Sequence, residues 1–190
     1  MSTGKSKGKN VRGVRTKPEL DFTFTLRRLE PRDAEAYRTL RLHGLRAHPE
    51  AFGRSYAEEA RMPLEVFTQR LESGRHRWTW GAFDGTNLMG VVSLLRGTGA
   101  KERHKAMLVG MHVASRYAGR GIGRALLGNA LAIAQTMRGL RQVALSVTET
   151  NTRACRLYQK AGFVIFGREH DSLYVRGRYL AELHLAKRLR

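Results

Sequence analysis

An α/β fold is predicted for this chain by three observations. Short runs alternate strictly between apolar and polar residues, as in Phe22, Phe24 and Leu26 against Thr23, Thr25 and Arg27, which is the period of a half-buried strand. Other stretches repeat apolar residues at helical spacing, most clearly Ile122, Leu126, Ala130, Ile133, Ala134 and Met137. Between the two patterns lies a turn with three glycines, Gly119, Gly121 and Gly123, which leads from an apolar strand straight into that helix. Such a turn presents main-chain N–H groups at a helix N-terminus, where the dipole favours negative charge. Arg116, Arg120 and Arg124 add cationic charge beside it.

The elements follow in order. After the strand around Phe22–Leu26, Pro31-Arg-Asp33 opens a helix that runs to about His48 and ends at Pro49. A second helix begins near Pro63 and uses Val66, Phe67 and Leu71. Strands at about 77–83 and 88–95 are joined by the hairpin turn Asp84-Gly-Thr-Asn87. A polar loop over 97–104 precedes a strand over about 106–113, which feeds the glycine turn and the helix of Ile122–Met137. Val143, Leu145 and Val147 alternate as a strand, Asn151–Lys160 forms a helix stopped by Gly162, and strands over 163–166 and 179–185 close the chain. There are no internal repeats.

Composition bounds the class. The 190 residues suit one domain over 21–190 preceded by a basic tail, residues 1–20, whose many Lys, Arg, Gly and Ser and few apolar residues predict disorder. That tail has no amphipathic apolar face, which argues against a transit peptide. The one cysteine, Cys155, excludes an internal disulfide, and no apolar run approaches a membrane span. A soluble, cytoplasmic protein is expected. The net charge of +19 attracts polyanions without choosing among them. No arginine-rich block with interleaved aromatics marks a nucleic-acid surface. The seven histidines stand at no ligand spacing, so no metal site is expected.

The glycine turn is neither a P-loop, which needs Gly-Lys-Ser/Thr, nor the dinucleotide pattern, because the three glycines are spaced G-x-G-x-G. It resembles the pyrophosphate loop of the GCN5-related N-acetyltransferase (GNAT) family, Gln/Arg-x-x-Gly-x-Gly/Ala, in the register Ala118-Gly-Arg-Gly121-Ile-Gly123. Ala118 departs from the first position, and Arg116 or Arg120 is placed to replace the lost side-chain contact. A second segment, Asn151-Thr-Arg-Ala154-Cys-Arg-Leu157-Tyr158-Gln-Lys-Ala-Gly162-Phe163, is similar to the family's Asn-x-x-Ala-x-x-Leu-Tyr-x-x-x-Gly-Phe. Asn151, Ala154 and Tyr158 share one helix face by their spacing. Taken alone, Asn151 is equally a plain N-cap and Tyr158 a core-edge aromatic. The residues around Leu40–Glu59 look like the first-helix region of a bacterial subgroup of unassigned substrate. In that subgroup's last hairpin an Asp-Glu pair is usual where this chain has Ala181-Glu182.

The resemblance implies a mixed, mainly antiparallel twisted sheet of six to seven strands with helices on both faces. It implies transfer of acetyl from acetyl-CoA to a primary amine of a small molecule or protein, by direct attack in a ternary complex. The cofactor contacts it implies are Met111, His112 and Val113 on the fourth strand, Ala118, Gly119, Arg120, Gly121, Ile122, Gly123 and Arg124 in the loop, and Asn151, Ala154 and Tyr158. Tyr158 would protonate the departing thiolate. For the base that takes the amine proton, Glu58 and Glu59 border the acceptor, with His112, Glu149, Glu182 or a water chain as alternatives. Dimers are common in the family, so a homodimer is one possibility, and the sequence leaves the oligomeric state open. Two readings from other classes fit the same residues: a non-catalytic acyl-CoA-binding regulatory module, and a nucleic-acid-associated protein that uses the basic surface.

Overall fold

Strand pairing organises the molecule around one seven-stranded sheet of order β1-β2-β3-β4-β5-β7-β6. A computed structural model of the chain describes residues 22–72, 74 and 76–189. The expected disordered tail over 1–20 lies outside the described residues. The strands are β1 (Thr25–Arg28), β2 (Arg77–Asp84), β3 (Asn87–Arg96), β4 (Lys105–Val113), β5 (Gln142–Thr148), β6 (Val164–Val175) and β7 (Arg178–Arg188). The helices are α1 (Ala34–Ala47), α2 (Tyr56–Ala60), α3 (Leu64–Leu71), α4 (Ile122–Thr136) and α5 (Thr152–Lys160). All neighbours run antiparallel except β4 and β5, which are parallel and are joined through α4, a right-handed crossover requirement of such pairs. The predicted mixed, mainly antiparallel sheet of six to seven strands is what the chain forms.

Side-chain alternation sends the sheet's apolar residues into two cores. On one face Trp80, Val92, Leu94, Leu108 and Leu145 meet Leu126, Leu127 and Ala130 of α4 and Tyr158 of α5. On the other, Phe83 and Val91 meet Tyr37 and Leu40 of α1 and Phe67 and Leu71 of α3. Helices therefore cover both faces, as predicted.

Two elements exceed the sequence reading. The short helix α2 starts at Ser55, whose hydroxyl accepts from the Glu58 N–H while the Glu58 carboxylate accepts from the Ser55 N–H, a complete capping box. Strand β6 runs to Val175 rather than stopping at Phe166. It is the exposed edge of the sheet and carries register irregularities between Glu169 and Leu173, so its alternation is broken and the polar run 168–172 hides it.

The feature that positions everything else is a split between β4 and β5. Their pairing covers Lys105–Met107 against Gln142–Ala144 and goes no further. Between Val91↔His112 and Ser93↔Val109, β4 carries one residue more than β3, which is a bulge. Gly110 sits in it at φ +61°, a left-handed conformation suited to glycine. The bulge re-aims β4, and β5 keeps its full ladder with β7 instead.

Candidate active site

A cavity of about 510 Å³ fills the split and passes through the sheet. Its central lining comes from both diverging strands, Met107–Met111 on β4 and Ser146–Thr148 on β5. On the α5 side it reaches Asn151, Ala154 and Tyr158; on the opposite side it reaches Tyr37 and Arg41 of α1, Glu59 of α2, Arg70 of α3 and Arg77 of β2.

The glycine turn lies at the start of α4. Gly121 is the N-cap in a left-handed conformation, φ +80°, and Gly119 has φ +87°. A Cβ at either position would meet nothing within 4 Å, so the concavity above these amides is open to solvent. Helix α4 is 15 residues long, which aligns a full set of peptide dipoles behind that opening. Open, uncapped N–H groups on a long helix fit a diphosphate by charge and by donor count. Ala118, at the first position of the loop signature, is extended, with φ −63° and ψ 144°. The arginines beside the turn are held by aromatic rings: Arg120 lies 4.5 Å above Phe22, and Arg116 lies 4.9 Å from the Tyr117 ring. Phe22 and Tyr117 stack on one another at 6.1 Å. Arg124 is exposed on the first turn of α4, Ile122 points into the core, and Gly123 lets the helix pass close to Met111 and Leu157.

Tyr158 is buried to 7% exposure, with its ring edge-on to Phe163 at 5.9 Å and its Oη donating to the Met111 sulfur at 3.6 Å. Burial, with a smaller contribution from Cys155, pushes the phenol up to about 12, so it keeps its proton throughout the neutral range. Asn151 is the N-cap of α5: its Oδ1 accepts from the Ala154 N–H at 3.1 Å, which fixes the side chain at the cavity wall. Cys155 is buried among core residues, and burial raises its pKa, which keeps the thiol protonated.

The acids and histidines proposed for the proton-accepting role are placed very differently from one another. Glu58 uses one carboxylate oxygen to accept from both the N–H and the hydroxyl of Ser55 in the α2 capping box, is exposed, and is absent from the cavity lining. Glu59 does line the cavity and is 1% exposed, but it is clamped. Arg41 donates to both oxygens at 3.1 and 2.9 Å, and Arg70 donates at 3.2 Å. Burial acts to raise its pKa, yet the hydrogen bonds and charges of Arg41 and Arg70 outweigh burial and hold it below the usual carboxylate range. His112 turns its imidazole away from the split, onto the α1 face. There it packs against Gly44, Phe52, His43 and His48. Desolvation first, then the neighbouring His48, His43 and Arg41, lower its pKa to about 4, so it is neutral at neutral pH. Glu149 is exposed and paired with Arg168 at 2.7 and 3.0 Å, whereas Glu182 lines the cavity and accepts from Ser172 at 2.8 Å.

The structure adds a chain of groups the sequence did not signal. Ser146 lines the cavity, its Oγ is 2.9 Å from His184 Nδ1, and His184 Nε2 is 3.0 Å from Glu169. Ser146, His184 and Glu169 come from three different strands, so only the β5-β7-β6 register assembles them. Arg41, Arg70 and Arg77 are likewise unmarked in sequence, where they read as solvated charges. Among the described residues no group of three or more His, Cys, Asp and Glu is arranged to hold a metal ion, and no helix is long and apolar enough to cross a membrane.

Comparison with known proteins decides what this site belongs to. The model of the acetyltransferase (GNAT) family matches residues 45–163, from the end of α1 through the glycine turn to Phe163. The chain belongs to the GNAT family. Members of that family are N-acetyltransferases whose donor is acetyl-CoA. This GNAT chain is similar to a GNAT-family acetyltransferase from Streptococcus pneumoniae at TM-score 0.77 and 26% identity, covering 88% of this chain and all of that one. It shares the fold of YncA, a putative acetyltransferase from Salmonella typhimurium solved with acetyl-CoA, at TM-score 0.74 and 18% identity, over 89% of this chain and 95% of that one. A curated relative, the spermidine N(1)-acetyltransferase of Vibrio cholerae, is 30% identical over 93 residues, 49% of this chain. The matched stretch spans about half, 52%, of that relative's length.

Proposed function

We propose that this GNAT protein transfers acetyl from acetyl-CoA to a primary amine of a small molecule or peptide, by direct attack within a ternary complex. One observation carries the reading. The cavity through the β4–β5 split joins the α5 face, with Asn151, Ala154 and Tyr158, to a separate polar wall built by α1, α2, α3 and β2. Two reactants can therefore enter from opposite sides and meet in the middle, which is what a single-step transfer requires.

The main-chain amides of Gly119–Arg124 would hold the diphosphate. The backbone of Met111–Val113, released from β5 by the bulge, would hold the amides of the arm that follows. Bound there, the donor supplies an activated thioester. A main-chain N–H near Val113 would stabilise the negative charge that develops on its carbonyl oxygen. Tyr158 keeps a proton at Oη, held in place by Phe163 and Met111, and donates toward the sulfur as that sulfur gains charge.

An amine near pKa ~10 arrives protonated and must lose that proton. Glu58 and the clamped Glu59 are not suited to accept it. Ser146 is: its oxygen can accept from the amine while its own hydrogen passes to His184 Nδ1, and the resulting imidazolium is stabilised by Glu169 at 3.0 Å. Glu169 is 55% exposed, so the proton leaves to solvent from there.

The test is release of CoA thiol, with mass spectrometric detection of the acetylated product, over a panel of amines. Transfer above the rate without protein is the expected result. Tight binding of acetyl-CoA with no transfer to any amine would instead make the chain a binding module.

A further inference from the structure

The wall of the cavity facing the acceptor is cationic. Four arginines line the cavity, Arg41, Arg54, Arg70 and Arg77, against two glutamates, Glu59 and Glu182. Both oxygens of Glu59 are already engaged by Arg41 and Arg70, and Glu182 accepts from Ser172. Arg77 is different. It projects from the first residue of β2 toward α1 and α3, beside Tyr37, and is only partly exposed. Among the described residues it forms no ion pair, and its Nε is buried without a hydrogen-bond partner. Burial, with the neighbouring Arg70 and Arg41, lowers its pKa against the opposing influence of the Tyr37 hydroxyl, and no carboxylate contributes. A buried guanidinium without a carboxylate is costly.

Resting on the transfer reading above, we propose that the acceptor amine also carries a carboxylate, and that Arg77 receives that carboxylate with Arg41 and Arg70 alongside. The planar guanidinium presents two parallel donors to a carboxylate, which gives orientation as well as attraction. The same wall acts on the reacting end. Nearby positive charge disfavours an ammonium, so the amine held beside these arginines loses its proton more readily. A polyamine lacks the carboxylate contact, and its second ammonium meets like charge at the wall.

Initial rates of CoA release, together with calorimetric binding in the presence of CoA, discriminate the idea. One pair of acceptors is 4-aminobutyrate and 4-aminobutanamide, which differ only in the charge at the far end. A second pair is a short peptide with Glu after its free N-terminal residue and the same peptide with Gln. The diamine 1,4-diaminobutane completes the set. The carboxylate member of one pair is expected to show kcat/KM at least tenfold above its amide, and the pair that shows it says whether a free amino acid or an acidic peptide is the source. The diamine should rank lowest. Arg77→Met should lower kcat/KM for the carboxylate acceptor at least tenfold and erase the difference within the pair, and Arg77→Lys should restore part of it. Equal kcat/KM within both pairs, a preference for the diamine, or an unchanged preference in Arg77→Met would overturn the proposal while leaving transfer itself intact. If no amine releases thiol, the transfer reading fails, and calorimetry still decides: tenfold tighter binding of the carboxylate member supports the cationic wall, and equal or absent binding refutes it.

Discussion

Replacing Glu59 by Gln should unfold the acceptor wall long before it affects chemistry. The carboxylate is 1% exposed and takes three hydrogen bonds from two guanidiniums that are themselves 12% and 17% exposed. It also joins α2 to both α1 and α3. Gln keeps one acceptor, turns two N–H donors toward arginines that cannot accept, and leaves two buried cations uncompensated. Breaking a buried ion pair in this way costs about 3–5 kcal/mol. For a domain of this size that corresponds to a drop in melting temperature of roughly 6–20 °C. The pH dependence carries a matching sign. Because the folded pKa of Glu59 lies below its ordinary value, its contribution is fully present above that ordinary value, 4.5, and is lost as pH falls through the lowered one. Differential scanning calorimetry of wild type and Glu59→Gln at neutral pH measures the effect directly. A loss under about 2 °C would refute the view that this triad ties the three helices together. Turnover measured well below both transitions separates the roles: a structural residue changes kcat less than about tenfold, whereas loss of a general base costs about a hundredfold or more.

Other consequences can be checked independently. Tyr158→Phe removes only the hydroxyl and should lower kcat by about a hundredfold while acetyl-CoA affinity by calorimetry stays within about threefold; unchanged turnover would remove Tyr158 from the reaction. Gly121→Val forces a branched side chain into φ +80°, at a cost of roughly 1–2 kcal/mol, and fills the open cradle, so acetyl-CoA affinity should fall at least about tenfold. His112 is held neutral down to about pH 4, so stability should be full above pH 6.5 and decline between 6.5 and 4, by about 3 kcal/mol in all. Urea midpoints of His112→Leu should lack that slope; a variant with the wild-type slope would contradict it. His184→Phe should leave melting temperature nearly unchanged and lower kcat by about tenfold or more, since the proton exit from Ser146 is broken; unchanged turnover would remove the Ser146–His184–Glu169 chain from the reaction.

What could be read in advance was what lies close together along the chain. The glycine turn and the Asn151–Phe163 helix each carry their donors, small residues and phenol within a few turns of backbone, so periodicity and spacing expose them. The β6 extension was not legible, because an exposed edge strand needs no apolar alternation and the irregularities near Asp171 destroy what remains. The Ser55–Glu58 capping signature stands in the sequence, yet α2 is only five residues long and has too few apolar positions to announce itself. The cationic wall was illegible for a different reason. Arg41, Arg70 and Arg77 sit on two helices and a strand, and each is an ordinary surface arginine until packing brings Arg41 and Arg70 to the Glu59 carboxylate and Arg77 to the same cavity. Ser146, His184 and Glu169 likewise become neighbours only through strand register.

The three-residue seam between β4 and β5 also has a mechanical meaning. The sheet's ladder divides into β1–β4 on one side and β5–β7 on the other, which share few rungs although one core packs against both. A guest that inserts its own amides into the gap supplies the missing rungs and acts as a clasp. Occupancy should therefore slow amide exchange at Val109–Val113 and raise the unfolding temperature of both parts of the sheet together, making the enzyme stiffest while it is loaded.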